Sequence, residues 1–394
     1  MAPGVTTEKT VYFNPEAHKA IKAAKPLKGP SPWSEKSDGP GAITFTAPLK
    51  SSGALDRKYK SEDLTPVIGR EYKDAQLSDI LKDKELLRDL AITVSRRGVV
   101  FFRGQNLTVN EQKELADQLG KVVGKPESST LHIHPTTAAG GFLKADSNEI
   151  DPEVSLISSQ LARTLYKNDS TRKAFRDNSA SGPNGWHSDI TFEPVPADYS
   201  ILKIIETPPS GGDTLWASGY ATYDFLSEPF KQLLHNLKGT YSQPGFKSHL
   251  DASETEFYSG ERGSPENVGD ELTATHPIVR TNPVTGWNSV FALGSHFTSI
   301  DDVSEGESDI IKKYIEDIVI RNHDIRVRFK WNKNDVAIWD NRSAYHNATK
   351  DIYTSLPEDT LRVGVRTVGI GERPFLSPLG KSRSVALKEE GVLV

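Results

Sequence analysis

His187-Ser188-Asp189, together with a distant His346 at the end of Trp339-Asp340-Asn341-Arg342-Ser343-Ala344-Tyr345-His346, is the part of this chain best equipped for chemistry. On a β-strand, residues two apart point to the same face. His187 and Asp189 can therefore offer one imidazole nitrogen and one carboxylate oxygen to a single point. A second imidazole from another strand completes a set of two nitrogens and one oxygen. Held on one side of a metal, that set leaves the other side open, which suits non-haem Fe(II) and oxygen chemistry. A His-x-Asp tripeptide by itself is weak, because it recurs by chance, so the flanking sequence has to carry the case.

Two further groups could meet an anion. In Leu361-Arg362-Val363-Gly364-Val365-Arg366 the arginines share one face of an alternating strand and the aliphatic residues share the other. Four strand positions separate the arginines by about 13 Å. If the aliphatic face packs outward against helices, both guanidiniums point inward, where each needs an anion. If not, they form surface ion pairs on a solvated face; the spacing does not choose between the two. Upstream, Gly211-Gly212-Asp213-Thr214 is either an ordinary turn or a turn that presents the Thr214 hydroxyl to a carboxylate.

The elements that must position these groups are readable in outline. Leu77, Ile80, Leu81, Leu87 and Leu90 predict a helix over residues 77–95. Val99-Val100-Phe101-Phe102, between Gly98 and Gly104, predicts a buried strand. Thr108 and Glu111 have capping-box spacing ahead of a helix with Leu115 and Leu119 on one face. Residues 325–331, 335–340 and 361–366 predict strands. Ile311, Tyr314, Ile315 and Ile318 form the stripe of a helix over 308–321. The segment 241–271 is polar and Gly/Ser-rich, as expected of a lid. Many short strands with Gly/Pro turns point to a mainly β protein with flanking helices, a double-stranded β-helix or jelly roll. The expected organisation is an extended arm over 1–60, the jelly-roll domain over 61–380 and a tail over 381–394.

Bulk properties narrow the function. The net charge of −5 argues against nucleic acid as a partner. The chain has no cysteine, which removes disulfides, thiolate metal sites, iron–sulfur clusters and cysteine nucleophiles. No stretch approaches the roughly 18 apolar residues of a membrane span, and the N-terminus lacks the apolar centre of a secretory signal. The expectation is a cytoplasmic protein with a small-molecule partner and no membrane partner; homo-oligomerisation stays open.

Taken together, Trp186-His187-Ser188-Asp189-Ile190-Thr191-Phe192, Gly211–Trp216, Ile338–Arg342 with His346, and Arg362 with Arg366 resemble the taurine dioxygenase (TauD/TfdA) family of Fe(II)/2-oxoglutarate-dependent dioxygenases. Gly98–Gln105, Leu131-His132-Ile133-His134-Pro135, His276–Pro283 and Phe297–Ile300 extend the match in the family's order, over residues 65–378. The long N-terminal arm is similar to that of fungal sulfonate dioxygenases. The resemblance implies that His187, Asp189 and His346 bind Fe(II), and that Thr214 and Arg362 hold the distal carboxylate of 2-oxoglutarate. It implies that Arg366, His134, the backbone at Ile190, and Phe297 meet the substrate, with His132 a weaker match. No catalytic residue beyond the metal ligands is implied. The reaction would consume O2 and 2-oxoglutarate, yield succinate and CO2, and hydroxylate a small anionic substrate. An alkyl sulfonate such as taurine fits best; hydroxylation beside sulfur then releases sulfite and an aldehyde.

The departures concern the substrate. Taurine enzymes of the family carry a Tyr shortly after the His matched by His134, where this chain has Thr136-Thr137; an expected Asn is matched only by Asn184, one place out of register. A carboxylate, amino acid, sulfate ester, aryloxyacetate or purine is the alternative substrate for the same machinery. A metal-dependent hydrolase on the same ligands would work without O2 or 2-oxoglutarate. A non-catalytic jelly-roll binding protein would turn nothing over. His276, ahead of Pro277, reads as structural.

Overall fold

Val99-Val100-Phe101-Phe102 shows how the fold is organised. All four side chains are fully buried, so this strand faces apolar layers on both sides. The computed structural model describes residues 40–136, 141–143, 150–160, 162, 185–246, 257–291 and 293–392. Numbered along the chain, the strands are β1 Ser61–Asp63, β2 Arg70–Tyr72, β3 Val99–Phe102, β4 Gly141–Leu143, β5 Ile150–Ser158, β6 Ala197–Glu206, β7 Thr214–Ser218 and β8 Lys238–Ser242. They continue as β9 Thr273–Pro277, β10 Val279–Thr281, β11 Asn288–Val290, β12 Phe297–Ile300, β13 Arg326–Phe329, β14 Val336–Asp340, β15 Ala344–Ala348 and β16 Val363–Ile370.

Eight strands form one mixed sheet in the order β1-β2-β3-β14-β6-β16-β5-β4. Only β2 and β3 run parallel within it. Because side chains alternate, one face of β3, β14 and β6 presents Val100, Phe102, Val336, Ile338, Tyr199 and Ile201. These pack against helices α1 Ala54–Lys58, α2 Leu77–Ile80, α3 Lys84–Arg97 and α4 Val109–Lys121. The opposite face presents Phe101, Trp339, Ala337, Leu202 and Ile204. That face meets the three-stranded sheet β13-β7-β15 through Trp216, Phe329 and Trp331. Phe101 stacks on Phe329 at 4.0 Å, and Trp216 meets Trp339 edge-on at 5.8 Å. Aromatic rings of this size bury about 150–250 Å² each and dominate such an interface. A third sheet, β12-β8-β9, packs with helix α5 Gly219–Asp224, helix α6 Glu228–Leu234 and helix α7 Glu305–Arg321 around a separate apolar cluster. A mainly β architecture with flanking helices is thus present.

Several local expectations are corrected. The helix read over 77–95 is two, because Asp83 caps α3, its carboxylate accepting from the amides of Glu85 and Leu86. The α7 stripe is Ile311, Ile315, Ile318 and Val319; Tyr314 is 44% exposed and lies edge-on to Phe230. Arg362 precedes β16 rather than belonging to it. The arm expected through residue 60 is docked well before that point. The Leu49 amide donates to Val284 O, and Leu55 is buried beside α3, where Asp89 accepts from the Ser52 amide and hydroxyl. The tail expected from 381 contains helix α8 Asp351–Thr354's downstream counterpart α9 Arg383–Glu389, whose Ala386 and Leu387 pack on Tyr220 and Trp287. In both segments an apolar side chain found a site that composition alone could not reveal. The expected capping box forms at Thr108/Glu111, and the structure shows a second at Ser304/Glu307. The segment read as a lid is described in part; residues 247–256 lie outside the described residues.

Candidate metal centre

His187 and His346 lie directly opposite each other. Each backbone amide donates to the other's carbonyl, at 3.1 and 2.8 Å, in an isolated antiparallel bridge. Such a pair puts both side chains on one face, and the ring centroids stand 4.2 Å apart. β15 carries His346 and is fixed on its other side by β7, His346 opposite Trp216. After His187 the chain leaves the extended state: Ile190 has φ 61°. A β-branched residue in the left-handed region costs about 1–3 kcal/mol and persists only where its surroundings impose it. Here the turn follows immediately after Asp189. The Asp189 amide donates to Asn341 Oδ1 at 3.0 Å. Its carboxylate Oδ1 then lies 3.9 Å from both His187 Nε2 and His346 Nε2. All three ligand atoms fall within 4.8 Å of one another.

The donor set fits a metal. His187 Nδ1 lies 3.0 Å from Gly185 O; a carbonyl only accepts, so Nδ1 carries the proton and Nε2 presents its lone pair. Burial pushes His187 below its ordinary pKa, and burial with the neighbouring His187 pushes His346 to about 3, so both rings are neutral and able to ligate. Burial alone would raise the Asp189 carboxyl. The Arg366 guanidinium, helped by the Ser200 hydrogen bond, overrides it and holds the group ionised, below the usual carboxylate range. Asp189 Oδ2 accepts from the Ser200 hydroxyl at 2.7 Å. Asn341 Nδ2 donates to Ser200 Oγ at 2.9 Å, and Trp339 Nε1 donates to Asn341 Oδ1 at 3.0 Å. This chain of bonds aims Oδ1 at the imidazoles. Trp339 also packs against His346, centroids 4.9 Å apart.

Both arginines point inward, which settles the two readings of their strand. Arg366 Nη1 donates to Asp189 Oδ1 at 2.7 Å, while its Nε is buried without a hydrogen-bond partner. Arg362 is buried; Nε donates to Gly212 O at 2.7 Å and Nη2 to Thr214 Oγ1 at 3.2 Å. No carboxylate among the described residues lies in ion-pair range of its guanidinium, and burial lowers its pKa. Thr214 Oγ1 also accepts from Trp331 Nε1 at 3.0 Å. With both lone pairs engaged, its own proton is left for a further acceptor. The Gly211-Gly212 pair is more than a turn. Gly212 has φ 70°, and a Cβ there would sit 2.8 Å from Arg362 Cδ.

On the remaining side, His134 is half-buried; its ring lies 4.8 Å from Phe246, and Nδ1 pairs with the Thr136 hydroxyl at 2.8 Å. Burial, then Arg366, pushes His134 to about 3. His132 is buried beside it, ring centroids 6.1 Å apart. Thr137 and Asn184 lie outside the described residues. Phe297 packs in the core against Tyr241, and its ring edge covers Gly239. It is the preceding residue, His296, that stands beside His187, at 6.0 Å. Sequence motifs did not single out His296 or Ser200. The signal for Ser200 was a hydroxyl inside the apolar run Tyr199–Ile201 of a central strand; for His296 it was a polar side chain two residues after Gly294. His276 is structural as expected, donating from Nε2 to Thr191 O at 2.9 Å.

A two-histidine, one-carboxylate centre at the β15 edge of the smaller sheet, beside an inward-facing arginine pair at β16 of the large one, defines a class. The chain belongs to the taurine catabolism dioxygenase TauD, TfdA family, whose model matches residues 60–367. It is an alpha-ketoglutarate-dependent dioxygenase, and so uses 2-oxoglutarate and O2. It is 44% identical over 350 residues to alpha-ketoglutarate-dependent dioxygenase btcD of Neocamarosporium betae, covering 86% of this chain and 98% of that one. It is 30% identical to the alpha-ketoglutarate-dependent sulfonate dioxygenase of Saccharomyces cerevisiae, over 75% of this chain and 63% of that one. A solved taurine dioxygenase from Burkholderia xenovorans superposes with TM-score 0.59 at 26% identity, covering 82% of this chain and 94% of that one.

Proposed function

We propose that this protein is an Fe(II)- and 2-oxoglutarate-dependent dioxygenase that hydroxylates a small anionic substrate, with an alkyl sulfonate such as taurine the best fit. The observation that carries the reading is the convergence of His187 Nε2, His346 Nε2 and Asp189 Oδ1, with His187 Nδ1 turned away to Gly185 O and Asp189 Oδ2 to the Ser200 hydroxyl. Bound there, Fe(II) would supply the activation of O2 that couples conversion of 2-oxoglutarate into succinate and CO2 to hydroxylation of a C–H bond.

The chain's own residues bind and orient. Arg362 and the Thr214 hydroxyl hold the distal carboxylate of 2-oxoglutarate, a charge-assisted contact that fixes direction as well as affinity. Arg366 keeps one N–H on Asp189 and turns its remaining donors, Nε among them, to the substrate's anion. His134 and the Ile190 backbone border the same space, and Phe297 shapes it from the core. Trp339 and Trp216 form a wall that excludes water. The large sheet and the β13-β7-β15 sheet together are read as a double-stranded β-helix. For a sulfonate, hydroxylation at the carbon bearing sulfur gives an adduct that collapses to an aldehyde and sulfite.

Similarity to a sulfonate dioxygenase supports the sulfonate. Thr136 after His134, in place of the expected Tyr, favours a second reading: the same chemistry on a carboxylate, amino acid, sulfate ester, aryloxyacetate or purine. Succinate formation by the Fe(II)-loaded protein, measured across these classes, separates the two. Coupled turnover with sulfite release is expected for sulfonates. Succinate coupled only to another class, with no sulfite from any sulfonate, overturns the sulfonate assignment.

A further inference from the structure

The segment leading into β12 carries a polar group that the roles above leave unused. Gly294 lies at φ 102°, and a Cβ there would sit 2.2 Å from the Trp186 carbonyl oxygen and 2.8 Å from His187 Cα. The backbone thus comes as close as glycine allows to the strand bearing a metal ligand. Two residues on, the His296 ring stands nearly perpendicular to His187, 6.0 Å between centroids, with Phe192 5.0 Å away. The side chain is pinned by the Thr191 hydroxyl, 2.9 Å from Nδ1, and the backbone by the Ser242 amide, which donates to His296 O at 2.8 Å. Thr191 is itself held: it follows the strained Ile190, and its carbonyl receives the His276 Nε2 proton. Nδ1 makes the one side-chain hydrogen bond of His296 among the described residues, which leaves the Nε2 edge for another partner.

We propose that His296 is a specificity-determining residue whose Nε2 edge hydrogen-bonds a second, uncharged polar group of the substrate beside the metal centre. The proposal rests on the anionic-substrate reading: Arg366 takes the anion and His296 a hydroxyl a few atoms away. A hydroxyl serves Nε2 in either tautomer, as donor or acceptor. The substrate class is then a bifunctional anion and not a plain alkyl one.

The test uses the full chain loaded with Mn(II) and 2-oxoglutarate without O2, and reads binding by calorimetry. The probes are matched pairs: ethanesulfonate against 2-hydroxyethanesulfonate, ethyl sulfate against 2-hydroxyethyl sulfate, propanoate against 3-hydroxypropanoate. In the wild-type protein the hydroxylated member of at least one pair is expected to bind roughly five- to tenfold tighter, the net effect of one hydrogen bond. His296→Leu is expected to bring that ratio to about one with 2-oxoglutarate affinity unchanged, and His296→Gln to keep at least half of it. A preference that survives in His296→Leu overturns the proposal. So does a His296→Gln or His296→Leu protein that loses Mn(II) or 2-oxoglutarate binding, which assigns His296 to holding His187 in place. Equal binding within every pair overturns it and leaves the anionic reading standing; no binding by any member overturns both.

Discussion

Replacing Arg362 by Met isolates the cosubstrate contact. Met keeps an unbranched stem against Gly212 but removes the guanidinium. In the structure that guanidinium is buried, donates only to Gly212 O and Thr214 Oγ1, and faces no carboxylate in ion-pair range among the described residues. Breaking a buried ion pair is destabilising, but among the described residues this charge has no carboxylate in ion-pair range to strand, Asp213 and Asp351 acting on it only from farther off. Folding stability without 2-oxoglutarate is therefore expected to change by less than about 1 kcal/mol. Binding is another matter. A hydrogen bond to a charged partner contributes about 1.5–3 kcal/mol, so the Kd for 2-oxoglutarate is expected to rise about 10- to 150-fold. Linkage makes the same point thermally. At a hundred times the wild-type Kd, 2-oxoglutarate stabilises the protein by about 2.7 kcal/mol; after a hundredfold loss of affinity the same concentration gives about 0.4 kcal/mol. The assays are the KM for 2-oxoglutarate from succinate release, and thermal unfolding of the Mn(II)-loaded protein with and without 2-oxoglutarate. A KM within twofold of wild type, or an Arg366→Met protein with the same loss of 2-oxoglutarate affinity, would refute the assignment of the two arginines.

Ser200→Ala removes the proton donor to Asp189 Oδ2 and is expected to weaken Mn(II) binding about 10- to 100-fold in a calorimetric titration; unchanged affinity would show that Asn341 alone orients the carboxylate. Gly294→Ala forces a Cβ to within 2.2 Å of the Trp186 carbonyl at φ 102°, so urea unfolding is expected to show a loss of about 2–4 kcal/mol, and a loss under 0.5 kcal/mol would mean that the segment yields easily. His276, pushed to about 3 by burial and then by Arg280, stays neutral in the folded chain, whereas its unfolded value is about 6.5. As pH falls from about 6.5 to 3 the unfolded chain takes up a proton that the folded one refuses, so stability is full above 6.5 and is lost downward through that window. His276→Gln is expected to flatten the slope of stability against pH there by about 1.4 kcal/mol per unit; identical slopes in urea titrations at pH 5 and 6 would count against it.

The three candidate metal ligands were legible because their chemistry is encoded in residue type and local spacing. His187 and Asp189 sit two apart, and His346 closes the run Trp339–His346. The buried strand Val99–Phe102 and the capping box at Thr108 were legible for the same reason, since each is decided by neighbours within a few residues. The split at Asp83 was harder to see: a capping aspartate inside an apolar periodicity competes with that periodicity, and the cap won.

By itself, then, the sequence determined the candidate ligand set, the mainly β character and the family. Only the tertiary structure decided that both arginines face inward, that Ser200 and Asn341 orient Asp189, that residues 49–60 and 383–389 pack on the body, and that His296 and not Phe297 stands beside His187. Those contacts depend on strand register and on the closeness of packed layers. Both are set by many weak burial terms summed over the whole chain, and no local pattern of residues records that sum.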